Sequence, residues 1–169
     1  MALTYVALSK VTVSSNVSSI QFASISQEYS DLVLKISSRT SLTSRNYGFR
    51  FNGSSSLVYS DWLLYGTGTT TATASRSNQN ATDYTYQNVN TDPTNSFGYG
   101  EFYIPNYAAT TSTKCVIADS AVGTSNSNGL IAHSAQNFAS TAAITQIDLI
   151  PSSDFTSGTQ VWLYGIKRA

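Results

Sequence analysis

Tyr47, Phe49 and Phe51 alternate with Gly48 and Arg50, and Leu32, Leu34 and Ile36 alternate with Lys35 opposite. A period of two puts each apolar set on one face of an extended strand, so both segments are expected to bury one side. The stretch 161–166 is apolar at every position, as expected of a strand covered on both faces, central in its sheet. Trp162 and Tyr164 are assigned to the core on this pattern, and Gly165 to a close backbone approach.

Similar short β-type runs recur along the chain, at 3–13, 18–22, 31–37, 47–51, 56–65, 98–104, 113–119, 130–138, 143–150 and 160–167. The second continues the first, which gives about nine strands. Turn chemistry separates them: Asn52-Gly53 follows one run, Asn128-Gly129 precedes another and Ser157-Gly158 introduces the last. Long helical runs of Ala, Leu, Glu and Lys are missing. The expected fold is all-β, one antiparallel β-sandwich of jelly-roll type over residues 1–169, with 8–10 strands as the working range.

One interruption stands out. Residues 66–96 are rich in Thr, Ser, Asn and Gln, and the expectation is one long polar loop, either a surface loop or an arm that orders against a neighbour. Tyr84 and Tyr86 lie inside it and Tyr99 just beyond. With Arg76 and Asn80 they form the candidate interface set, since tyrosine and arginine are enriched where proteins meet.

Composition changes this picture mainly through charge. Charged residues are 11% of the chain, against roughly 25% in an average soluble protein. Nine basic and nine acidic residues leave a formal net charge of zero, so no long-range field favours nucleic acid or an anionic membrane. A neutral, hydroxyl-rich surface sits near its solubility minimum, which points to burial against other proteins and so to assembly. No apolar run approaches the roughly 20 residues that span a bilayer, no secretory leader pattern opens the chain, and cytoplasmic synthesis is expected.

Candidate chemistry is thin. The one histidine, His133, falls in a predicted strand, and no serine sits in a nucleophile-elbow glycine pattern. Cys115 is read as a small buried core thiol. Glu28 with Asp31, or Asp148 with Asp154, could flank a glycosidic bond, but solvated or capping carboxylates explain them better. Asp83, Asn90 and Asp92 offer loop oxygens without EF-hand spacing. The expectation is therefore no catalytic residues, no metal site, no cofactor and no enzyme activity.

Four blocks carry a resemblance. The stretch FTSGTQVWLYGIK at 155–167, ISQEYSDLVL at 25–34, FRFNG at 49–53 followed by Tyr59 and Ser60, and IPNY at 104–107 with Lys114 resemble a family of virion structural proteins of tailed phages, including those of cyanobacterial and marine hosts. The resemblance implies a sandwich module residing in the virion, without catalytic residues. From the chain's length and the lack of a shaft or coiled coil, the leading expectation is a capsid decoration or cement protein bound to adjacent major capsid subunits. A homo-oligomer is expected, with a trimer favoured to suit the three-fold sites of a capsid. The alternative is a tail or fibre component whose 66–96 segment touches a glycan receptor.

Overall fold

The computed structural model describes residues 4–124 and 129–167. Twelve strands form two antiparallel sheets packed as a sandwich. They are β1 (Thr4–Thr12), β2 (Ile20–Phe22), β3 (Asp31–Ser38), β4 (Asn46–Phe51), β5 (Tyr59–Thr67), β6 (Thr70–Gln79), β7 (Thr85–Tyr86), β8 (Gly98–Pro105), β9 (Lys114–Val122), β10 (Leu130–Phe138), β11 (Ile147–Pro151) and β12 (Gln160–Lys167). The large sheet runs β1-β12-β3-β8-β9-β10-β5-β6 and the small one β2-β11-β4-β7.

The two orders carry a jelly-roll topology. Four strands of the large sheet, β1-β12-β3-β8, face the four of the small sheet, and the chain crosses between layers in the Greek-key sequence of that fold. Two hairpins then lengthen the large sheet. β9–β10 lies between β8 and β11 in the chain, β5–β6 lies between β4 and β7, and their strands add side by side beyond β8.

The core fills the space between layers. Leu32, Leu34, Ile36, Phe102 and Leu163 from the large sheet meet Tyr47, Phe49, Phe51, Ile147 and Leu149 from the small one, all buried. Phe49 packs edge-on to Phe102 at 5.5 Å, Phe51 edge-on to Phe138 at 5.4 Å, and Tyr59 stacks on Phe138 at 5.0 Å. Edge-to-face rings add to the burial itself.

Several expectations need correction. Residues 66–96 are not one long loop: β6 folds back on β5 through Gly68 at φ +55°, with the Thr67 and Thr70 hydroxyls 2.8 Å apart, and β7 pairs with β4. β12 is central as its two apolar faces suggest, but Trp162 and Tyr164 stand half-buried on the outer face of the large sheet. Lys10 Nζ lies 5.2 Å above Trp162, and Tyr5 packs edge-on to Tyr164 at 6.2 Å. Gly165 is buried under the Tyr29 ring rather than under backbone: a Cβ there would lie 2.4 Å from the ring. Cys115 is exposed, because the β9 alternation turns Lys114, Val116 and Ala118 inward instead. Asn52 and Gly53 both take positive φ after β4, and Gly158 does so before β12. Asn128 of the expected Asn128-Gly129 turn, and residue 3, lie outside the described residues.

Candidate functional site

The small sheet covers one face of the large sheet and leaves the other open. Strand register draws three rows across that open face. The middle row runs Lys10, Trp162, Lys35, Glu101, Asp119, His133, Leu64, Thr73. Two contacts link neighbours along it: Lys35 Nζ is 3.2 Å from Glu101, and His133 Nδ1 is 2.6 Å from Asp119 Oδ1. Both pairs are solvent-exposed, so they orient side chains more than they stabilise the fold.

Apolar rows flank this line. On one side Tyr103, Ile117, Ala135 and Trp62 are neighbours in register, and on the other Tyr99, Ala121 and Ile131. Ile131 is 69% exposed, Leu64 55%, Trp62 54%, Tyr99 47% and Ile117 39%. Isolated exposed apolar residues are ordinary, but a contiguous group of this size marks a surface that meets something. Leu64 forms a ridge between two open grooves. One, of about 560 Å³, lies along Trp62, Thr73, Ser75, His133 and Ala135; the other, of about 300 Å³, along Gly66, Thr71, Asp119 and Ile131.

The candidate interface residues from the sequence divide in two. Arg76, Tyr84, Tyr86 and Asn80 gather at the base of the β5–β6 hairpin. Arg76 Nη2 donates to the fully buried Asp61 at 2.5 Å and Nη1 to Asp83 at 3.2 Å, while the Tyr84 ring lies 4.5 Å from the guanidinium carbon. Tyr86 packs edge-on to Tyr65 at 6.2 Å, and burial pushes its phenol up to about 12. The Asn80 carbonyl accepts from Arg50 Nε at 2.9 Å, and Asn80 itself is exposed. These groups clamp the hairpin, and their bonding is internal. Tyr99 lies apart from them on β8, its hydroxyl donating to Glu101; partial burial followed by that carboxylate pushes the phenol up to about 12.

Asp31, Asp148 and Asp92, among the acidic candidates, also have structural partners. Asp31 is buried and accepts from the Asn106 N–H at 3.0 Å and the Tyr103 hydroxyl at 3.1 Å. Asp148 accepts from Gln21 at 2.7 Å and Gln146 at 2.8 Å. Asp92 accepts from Nη1 and Nη2 of Arg45, at 2.5 and 2.8 Å. Among the described residues no cluster of three or more His, Cys, Asp or Glu side chains is placed to hold a metal ion.

Trp62, Leu64, Ile117 and Ile131 were not singled out by the sequence. A signal was present: residues 61–65 carry apolar groups at both parities, as 161–166 do. Such a strand is buried on both faces only where a second layer exists on each side.

The class these features define is an all-β jelly-roll sandwich with one open apolar face. Comparison with family models, curated proteins and solved structures finds no match to this chain.

Proposed function

We propose that this chain is a non-enzymatic structural protein of a tailed-phage virion that docks other proteins on the open face of its large sheet. The observation that carries the binding role is the contiguous exposure of Trp62, Leu64, Tyr99, Ile117 and Ile131 on one rigid sheet. Aromatic and branched aliphatic groups on a preorganised surface cost little conformational entropy on association and desolvate well. Lys35 is paired with Glu101 and His133 is bonded to Asp119, so these polar groups already have partners within the sheet.

The virion assignment rests on the four-block resemblance, and within it we favour capsid decoration with the major capsid protein as partner. A compact sandwich with one open apolar face suits a surface clamp. The decisive experiment is co-sedimentation with expanded capsids, comparing the native protein with a Trp62→Ser, Leu64→Ser, Ile131→Ser variant. The expected result is capsid binding by the native chain and at least tenfold weaker binding by the variant, with unchanged melting. No binding by the native chain would refute the capsid assignment.

One observation favours a second reading. The groove beside Trp62 joins a flat exposed ring to the hydroxyls of Thr73 and Ser75 and to His133, a combination suited to a sugar ring in a tail or fibre receptor site. Thr73 and Ser75 of β6 keep part of this contact within residues 66–96, and Trp62 of β5 and His133 of β10 extend it beyond them. Glycan-array signal lost in Trp62→Ser would support it.

A further inference from the structure

The sandwich has four edge strands: β1 and β6 on the large sheet, β2 and β7 on the small one. An edge presents unpaired N–H and C=O groups, and proteins guard it by shortness, charge, proline or a bulge. Three of the four are guarded. β2 has three residues and β7 two, while β1 carries a register shift between Ala7 and Ser9 together with Lys10. β6 is different.

β6 spans ten residues, Thr70–Gln79, with no proline, lysine or acid. From Thr70 to Arg76 it pairs with β5 residue for residue; the one irregularity lies beyond, between Tyr59 and Asp61 on the partner strand. Its single charge, Arg76, is drawn to Asp61 and Asp83. Residues Thr70, Thr71, Ala72 and Thr73 are exposed, so both faces of this end lie open as well as its edge. The Arg76 clamp fixes the base of the hairpin, which leaves the edge straight and preorganised.

We infer that β6 pairs antiparallel with β6 of a second copy of this chain, joining two large sheets across a two-fold axis. The hairpin geometry says which groups take part. In a two-residue turn the flanking residues bond to each other, so Thr70 faces Thr67, and by alternation the N–H and C=O of Thr71, Thr73 and Ser75 point away from β5. An axis at Thr73 sets Thr73 against its own copy and Thr71 against Ser75. Those are hydroxyl pairs of the kind that favour cross-strand contact, and no like charges are opposed.

Self-pairing also closes. A two-fold contact uses the same edge on both subunits, so the exposed strand is consumed without generating a filament. The two Leu64 ridges would then stand about 15 Å apart on one continuous face, at roughly 4.8 Å per strand. The oligomer built this way is even-numbered, in place of the trimer expected for a capsid three-fold site. The inference concerns the edge and stands apart from what docks on the face.

The test is the solution mass of the full chain by sedimentation equilibrium. The expected mass is twice the 18.1 kDa of one chain. Thr73→Pro removes an outward N–H and no bond to β5, a position where an edge tolerates proline, and is expected to halve the mass with unchanged circular dichroism. Should that variant not fold, Thr71→Lys with Thr73→Lys places ammonium groups across the axis, and the dimer is expected to weaken at low salt and recover as salt screens them. A monomeric or trimeric native chain, or a dimer that persists in a folded Thr73→Pro or is indifferent to the lysines, would overturn the inference. Capsid binding is read separately, so loss of the dimer with retained docking, or the reverse, tells the two surfaces apart.

Discussion

A Cβ on Gly100 would stand 1.9 Å from the hydroxyl oxygen of Tyr47 and 2.7 Å from Ile36 Cγ2. Tyr47 reaches the middle of the core from β4, and its fully buried phenol ends in the space that β8 leaves at residue 100. A tyrosine ring of the small sheet and a glycine of the large sheet are therefore one packing unit. Gly100→Ala is expected to cost about 1–3 kcal/mol through overpacking. In a Tyr47→Phe background the offending oxygen is gone and part of that cost should disappear. Thermal melts of the two single variants and the double give the coupling; additive losses would mean that the two positions do not share this space.

Gly48 meets a different obstacle. Its Cβ would lie 1.9 Å from the Thr82 carbonyl oxygen and 2.2 Å from the carbonyl carbon, which are main-chain atoms. The same stretch bonds to β4 at the residue after the glycine: Thr82 N–H donates to the Phe49 carbonyl at 3.2 Å, and Phe49 N–H to Thr82 Oγ1 at 2.9 Å. Gly48→Ala is expected to destabilise at least as much as Gly100→Ala, with no side-chain substitution able to relieve it. Hydrogen exchange should show the Phe49 and Thr82 amides losing protection while β3 amides keep theirs.

These two sites show where reading the sequence succeeds and where it stops. Tyr47, Phe49 and Phe51, like Leu32, Leu34 and Ile36, sit in strands whose two faces differ sharply in polarity, so the buried side is legible from alternation alone. β9 and β5 are apolar at both parities. Their phase is set by where the second layer lies, and only four strands cover a sheet of eight. That is why Cys115 faces out while Lys114 turns in, its ammonium donating to the Ser112 carbonyl at 2.8 Å. β6 has no apolar face at all. Threonine, alanine and serine become a strand there because the Gly68 turn delivers them to β5, a tertiary pairing that period-two patterns do not register.

Two aspartate–arginine pairs should respond oppositely to acid. For Asp92, burial alone would raise the carboxyl, but the Arg45 fork and the Val89 N–H outweigh it and hold it below its ordinary 3.8. Its stabilisation is complete above 3.8 and is lost as the pH falls through the folded value. For Asp61, burial dominates over Arg76 and raises the carboxyl above 3.8. There the folded chain takes up the proton first, so the cost of the buried charge is relieved as the pH falls toward 3.8. Asp92→Asn is expected to lose about 1–3 kcal/mol at neutral pH, a deficit that narrows on acidification. The Asp61→Asn deficit should widen over the same range. Urea midpoints taken between neutral pH and pH of about 3 test both signs at once.

Cys115 offers a direct check on which face of β9 meets solvent. It pairs with Asn137 on the open side of the sheet, and its thiol is exposed. Native protein should therefore react with a disulfide reagent at one thiol per chain, at a rate close to that of the unfolded chain, and Cys115→Ser should shift stability by less than about 0.5 kcal/mol. The same thiol reports on assembly. β9 is separated from β6 by β10 and β5, so pairing through the β6 edge leaves Cys115 reactive. A partner docked on the open face lies over Ile117 and should slow the reaction. A thiol that reacts only after unfolding, in protein shown to be free of partners, would place Cys115 inside the sandwich and reverse the phase of β9, and with it the exposure of Ile117.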